Sequence, residues 1–220
     1  MKFTSNVLVV ANGFFSLKGK IAELFKSDST IICCDGAADK LVAAGYKPNL
    51  IIGDLDSISN EYKRKYKDIL IHIDNQDNND LDKALSWLED KGIKAVTIIG
   101  ADGARDDHTL GNILLLLEKK FSFNLDMRTR EGIFTVVNTA LIDRDESAGY
   151  TKTFESRENQ SVSIFCTDRD AILSSSGLRY ELDGFQFKKL HSASLNKAES
   201  NKFSITCNKN DTLILVYREN

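Results

Sequence analysis

At 220 residues, with 42% hydrophobic and 28% charged residues, the chain has the composition of a globular protein holding one large domain or two modest ones. A formal net charge of −3 gives no basic footprint for nucleic acid, no apolar run reaches the length of a membrane helix, and the opening MKFTSNVLVVANG is too short and polar for a signal peptide. Cys33, Cys34, Cys166 and Cys207 lack both CxxC and zinc spacing and read as reduced thiols of a cytoplasmic protein.

The elements alternate from the N-terminus. Strands are expected at 6–10, 30–34, 49–53, 69–73, 95–100 and 121–127, and helices at 17–25, 37–44, 81–88 and 110–117. Gly45 closes the second helix, Pro48 follows it, and Leu81, Leu85 and Leu88 share one face of the third. This alternation predicts a mainly parallel, three-layer α/β domain over 1–130. Beyond Arg130 the helical spacing stops. Strands expected at 132–143, 150–154, 160–167, 178–180, 204–207 and 212–217, separated by Gly, Asn, Asp and Ser clusters, predict a smaller antiparallel β-sandwich over 131–220.

Acidic clusters recur at the expected strand ends. The run Leu50-Ile51-Ile52-Gly53 stops at Asp54 and Asp56; Asp35-Gly36 follows the second strand; Gln76, Asp77 and Asp80 precede the third helix; Gly103, Arg105, Asp107 and His108 precede the fourth. Each has a local explanation. Asp35-Gly36 makes a tight turn, Asp56, Ser57, Asn79 and Asp80 suit helix caps, Asp107 suits a helix first turn, and His108 is a polar residue at a helix start. Together they say more, because the strand ends of a parallel sheet lie along one edge and these groups share a crevice there. Neighbouring carboxylates are tolerated around a hard cation such as Mg²⁺, a glycine turn before a helix N-terminus accepts phosphate, and arginine grips phosphate bidentately. The inventory suits a magnesium nucleotide, although neither GxxxxGK[ST] nor GxGxxG is present.

The ordered set Cys34-Asp35-Gly36-Ala37, Gly53-Asp54-Leu55-Asp56-Ser57, Gln76-Asp77-Asn78-Asn79-Asp80 and Gly103-Ala104-Arg105-Asp106-Asp107-His108 resembles the thiamin pyrophosphokinase family, as does Ser176-Gly177-Leu178-Arg179-Tyr180-Glu181-Leu182. The resemblance implies pyrophosphoryl transfer from ATP, the co-substrate, to the thiamin hydroxyl. It also implies Mg²⁺ as cofactor and a homodimer with sites at the interface. It assigns Asp54, Asp56 and Asp80 to the metal and, with Asp77 and Arg105, to catalysis. Asp35, Gly36, Gly103, Arg105, Asp107 and His108 fall to the nucleotide, and Asp56, Gln76, Tyr180, Ser194 and Asn196 to the acceptor. Departures fall at Ala37, Asp39, Asn79 and Ala104, and Leu195 stands where the family has the asparagine of a Ser-Asn pair unless a shifted loop brings Asn196 there.

Tyr180 reads either as a core tyrosine or as an aromatic face for the thiazolium cation. Phe185, Phe187, Leu190 and Leu195 read either as a dimer contact or as filling of the β domain's own core. Competing functions are another magnesium-dependent phosphoryl transferase or phosphatase, and a nucleotide or thiamin sensor without turnover. Asp54-Leu55-Asp56 resembles the nucleophile pattern of haloacid dehalogenase-type phosphatases, but Ile58 fits that pattern poorly.

Overall fold

The computed structural model describes residues 3–15 and 19–220. The chain divides into two compact units, one of 1–115 with 121–130, the other of 116–120 with 131–220.

The first unit is built on β1 (Val7–Val10), β2 (Thr30–Cys34), β3 (Leu50–Gly53), β4 (Leu70–His72), β5 (Ala95–Ile99) and β6 (Asn124–Arg128), ordered β6-β5-β1-β2-β3-β4 and parallel throughout. β1 and β2 are buried at every position, the pattern of strands covered on both faces. Chain order reverses at β1, which lies between β2 and β5, so the crevice beyond the C-terminal ends of these strands is the natural ligand site. The helices are α1 (Ala37–Ala43), α2 (Asn60–Lys65), α3 (Asp80–Leu88) and α4 (Asp106–Glu118). α3 buries Leu81, Leu85 and Leu88, the stripe its spacing predicts.

The second unit holds two antiparallel sheets. One has the order β11 (Ala193–Lys197), β9 (Ser161–Cys166), β13 (Leu213–Glu219), β7 (Gly132–Asn138); the other has β10 (Leu173–Ser176), β12 (Lys202–Cys207), β8 (Tyr150–Glu155). Alternate residues of β9 and β12 enter a core that includes the stacked rings of Phe154 and Phe203, 4.9 Å apart. The architecture is the expected one.

Several expectations need correction. The helix expected over 17–25 is a 3-10 segment at Gly19–Leu24, with Leu17 outside the described residues. α2, capped by the Ser59 side chain, escaped prediction because it buries no residue and carries no apolar stripe. The strand expected at 178–180 lies earlier, at β10; Leu178 makes only an isolated bridge to Ala198. β11 was missed because a register shift between Ala193 and Asn196 breaks its alternation. Phe187 is buried in the unit's own core with Phe185 packed against it, which removes both from the expected dimer surface, whereas Leu190 and Leu195 are exposed.

Candidate active site

The site grows from the loops that follow the parallel strands. After β1 the chain passes through Asn12 and Gly13, where the Gly13 amide donates to the Gly100 carbonyl at 2.7 Å. A Cβ on Gly13 would lie 2.4 Å from that carbonyl oxygen, so only glycine permits this approach. Lys40 from α1 holds the same loop by donating to the carbonyls of Asn12 and Gly13. After β5, Gly100 and Gly103 take left-handed backbone angles and carry the chain to Arg105 and the start of α4. These loops and the start of α3 enclose a cleft of about 370 Å³, lined among others by Asp54, Asp80, Lys83, Arg105 and His108.

Asp35, directly after β2, is 1% exposed and receives the amides of Ser57 at 2.8 Å and Ile58 at 3.0 Å. It thereby fixes the bend that carries Asp54 and Asp56. Burial pushes its carboxyl above the ordinary aspartate range, the two amides oppose that, and the nearby Asp56 and Asp80 add to the rise. Carboxylate oxygens of Asp35, Asp54 and Asp56 lie within 4.8 Å of one another. Three hard oxygens this close, with charges that repel, fit a divalent cation. Asp80, expected as the third ligand, is absent from this trio; its Oδ1 accepts from Lys83 Nζ at 3.0 Å.

Lys83 is the residue that motif reading missed. It is 4% exposed, and its ammonium also donates to Asp54 Oδ2 at 3.1 Å. Burial alone would lower its pKa, but its bonds to Asp80 and Asp54 outweigh that and keep it charged; in return Lys83 holds Asp54 below the usual carboxylate range. The available signal was Asp80-Leu81-Asp82-Lys83, which sets acid and lysine one helical turn apart. Asn79 caps α3 through the Asp82 amide and donates to Asn112 Oδ1, while Asn112 donates to the Ala101 carbonyl, tying the two sides of the cleft. Gly53 sits where the groups crowd: a Cβ there would lie 3.0 Å from both Asp35 Cβ and Asp80 Oδ1.

Arg105 grips Asp107 with both Nε and Nη2, at 3.0 and 2.6 Å, and both side chains are mostly exposed. The Arg105 hydrogen bonds hold the Asp107 carboxyl below its ordinary range. Gly36 leads into α1, packed within a Cβ's reach of the Asn12 side chain. Gln76 and Asp77 are exposed on the loop before α3 and do not line the cleft. Cys34 lines it but is fully buried, and burial with neighbouring acids raises its thiol pKa far from the thiolate range, so it is no nucleophile.

In the second unit Tyr180 is 67% exposed, which excludes the core role. Ser194 donates its hydroxyl to the His191 carbonyl at 2.8 Å. Asn196, expected among the acceptor contacts, is instead 4% exposed, with its amide turned onto the Tyr180 backbone. Leu195 is 85% exposed at a left-handed φ of 62°, so the bulge in β11 turns Leu195 outward and Asn196 inward.

Residues 21–127 match the thiamin pyrophosphokinase catalytic domain, and residues 147–217 match the substrate-binding domain of the same family. The chain is 29% identical over 140 residues to the thiamine pyrophosphokinase of Bacillus subtilis, a stretch covering 62% of this chain and 59% of that protein. It is 31% identical over 110 residues to thiamine pyrophosphokinase 1 of Oryza sativa, covering 39% of this chain and 42% of the relative. In fold it is similar to the crystal structure of the Bacillus subtilis enzyme, with a TM-score of 0.76 at 21% identity over 97% of this chain and 98% of the other. The Candida albicans thiamin pyrophosphokinase gives 0.75 at 17% identity, over 98% and 90%. The two family models follow one another along the chain, the first over the parallel sheet that carries the acids and the second over the antiparallel unit, and the chain belongs to the thiamin pyrophosphokinase family.

Proposed function

We propose that this protein transfers the pyrophosphoryl group of ATP to the hydroxyl of thiamin, giving thiamin diphosphate and AMP. The observation that carries the reading is the acid-and-lysine cleft at the switch point of a parallel sheet, in a chain that matches both domains of one family. Asp35, Asp54 and Asp56 would hold Mg²⁺, which when bound neutralises phosphate charge. Asp80 takes the role of orienting Lys83 rather than that of a ligand. Lys83 supplies a fixed positive charge at the cleft wall, already placed before substrate arrives, so little reorganisation accompanies charge build-up. The Arg105 guanidinium exchanges Asp107 for phosphate oxygens, for which its fork is equally suited. Gly13, Gly100 and Gly103 allow the backbone close to the phosphates. Asp56, the exposed member of the trio, accepts the thiamin hydroxyl's proton. The Tyr180 ring faces the thiazolium cation, with the Ser194 hydroxyl as a further acceptor-side contact.

The same reading includes a two-fold homodimer, for which Leu190 and Leu195 offer exposed apolar surface, and a cytoplasmic location, consistent with four free, buried cysteines. Among the described residues no helix is long and apolar enough to cross a membrane. Incubation with MgATP and thiamin tests the proposal: stoichiometric AMP and thiamin diphosphate support it. Phosphate release without thiamin favours a phosphatase, and binding without product favours a sensor.

A further inference from the structure

The segment between β10 and Leu182 is held far more tightly than an exposed turn requires. The Glu181 carboxylate gathers the Ser175 hydroxyl and the amides of Gly177 and Leu178 at 2.7 and 3.1 Å. Leu178 and Leu182 are buried two residues to either side of Tyr180. The Arg179 amide donates to the Lys197 carbonyl at 2.8 Å, and the Arg179 guanidinium reaches Asn159 Oδ1 at 2.6 Å. On the inner side a single buried amide completes the clamp: Asn196 Oδ1 accepts from the Tyr180 amide at 3.1 Å, and Asn196 Nδ2 donates to the Tyr180 carbonyl at 2.7 Å. Asn196 Oδ1 also accepts from the Lys197 amide at 2.8 Å.

We infer that Asn196 is a positioning residue for the acceptor: it fixes both backbone groups of Tyr180 and so sets the angle at which the exposed ring meets a flat cationic substrate. The inference rests on the proposed contact between Tyr180 and thiamin. A primary amide suits the task because it is the side chain that presents one donor and one acceptor in a plane, matching the two groups of a single residue's backbone. Two of the three Asn196 bonds go to the residue that carries the ring, the third coming from the neighbouring Lys197 amide, so losing the side chain releases Tyr180 while Glu181 and the buried leucines still hold the turn. Immobilising the ring in advance spares substrate binding that ordering cost.

The test compares Asn196→Ala, Asn196→Asp, Tyr180→Ala and the double variant Y180A/N196A by steady-state kinetics, with thermal melting as a folding control. Asn196→Asp keeps the shape and fills the space while turning the bond to the Tyr180 carbonyl into a repulsion between two oxygens, so it releases the ring without a cavity and serves if the alanine variant fails to fold. The expected result is a rise of roughly tenfold in KM for thiamin in either Asn196 variant. KM for ATP and kcat should stay within about twofold, and Asn196→Ala should have no added effect in the Tyr180→Ala background. If Tyr180→Ala raises KM for thiamin while both Asn196 variants leave it unchanged, or if the Tyr180 and Asn196 effects add in full, the positioning role is wrong though the aromatic contact stands. An unchanged KM for thiamin in Tyr180→Ala overturns the contact and the inference with it.

Discussion

The two units solve opposite problems with their polar groups. In the first, like charges are forced together: Asp35, Asp54 and Asp56 share one end of a parallel sheet, and Lys83 is buried there to hold Asp54 and Asp80. In the second, the groups that touch the Tyr180 backbone are those of one neutral amide, the Glu181 carboxylate and the Arg179 guanidinium beside it each bond to neutral partners, and what they hold up is an uncharged ring. Unpaired charge concentrated at one place is unstable by itself and becomes useful when a ligand relieves it; a satisfied network is stable by itself and serves by keeping something still. The proposed function accordingly gives the chemistry to the first arrangement and the recognition of the acceptor to the second.

Mutations in the two arrangements should differ in which kinetic constant they move. Asp54→Asn and Asp56→Asn are expected to lower kcat by about 10³-fold while the fold, followed by circular dichroism, persists. Near wild-type turnover in either at saturating Mg²⁺ would erase the contrast. Lys83→Met comes next. It leaves Asp54 and Asp80 facing each other without a counter-charge, so kcat should fall roughly 100-fold. Without Mg²⁺ the melting point should drop, and added Mg²⁺ should recover more of it than it gains in the parent protein. A variant insensitive to Mg²⁺ in the melt would show that the lysine does not neutralise these acids. Arg105→Ala is expected to raise KM for ATP about tenfold with KM for thiamin unchanged. The reverse pattern would assign this arginine to the acceptor.

The smallest effect concerns an ion pair outside both sites. Asp168 bonds to Lys209 at 2.7 Å, and that bond holds its carboxyl below the ordinary aspartate value. A carboxyl depressed in the folded state contributes stability that is complete above the unfolded pKa and lost as pH falls through the folded one. Asp168→Asn should therefore cost up to about 1 kcal/mol at neutral pH, with the difference fading below about pH 4 in denaturant titrations. A difference that grew on acidification would reverse the sign.

Most of the fold was legible because its strands are apolar runs and α3 carries a clean stripe of Leu81, Leu85 and Leu88. What stayed hidden follows from the same logic. α2 has no buried face to announce it, and the β11 bulge destroys the alternation by which a strand is recognised. In the site, acids were visible as letters, yet which three converge was not. That depends on Asp35 folding back onto the Ser57 and Ile58 amides and on Asp80 turning to Lys83, directions that spacing alone does not specify. Asn196 was placed in the acceptor site by position, and only the bulge shows that its amide faces inward.

Gly53 carries a consequence of a different kind. A methyl on this backbone, whose φ is 157°, would press on Asp35 Cβ and Asp80 Oδ1 at 3.0 Å and ask both to give way, so the separation between the Asp35 and Asp80 branches of the site is tuned by an atom that takes no part in any reaction. A survey of mutational tolerance would find the position intolerant and would tend to file it as a folding residue. Its work is closer to that of a machinist's shim, a thickness chosen so that other parts meet. Any lineage that lost this glycine would have to move two acid-bearing segments at once to restore the fit, which makes the spacing of the charges harder to change by single substitutions than the charges themselves.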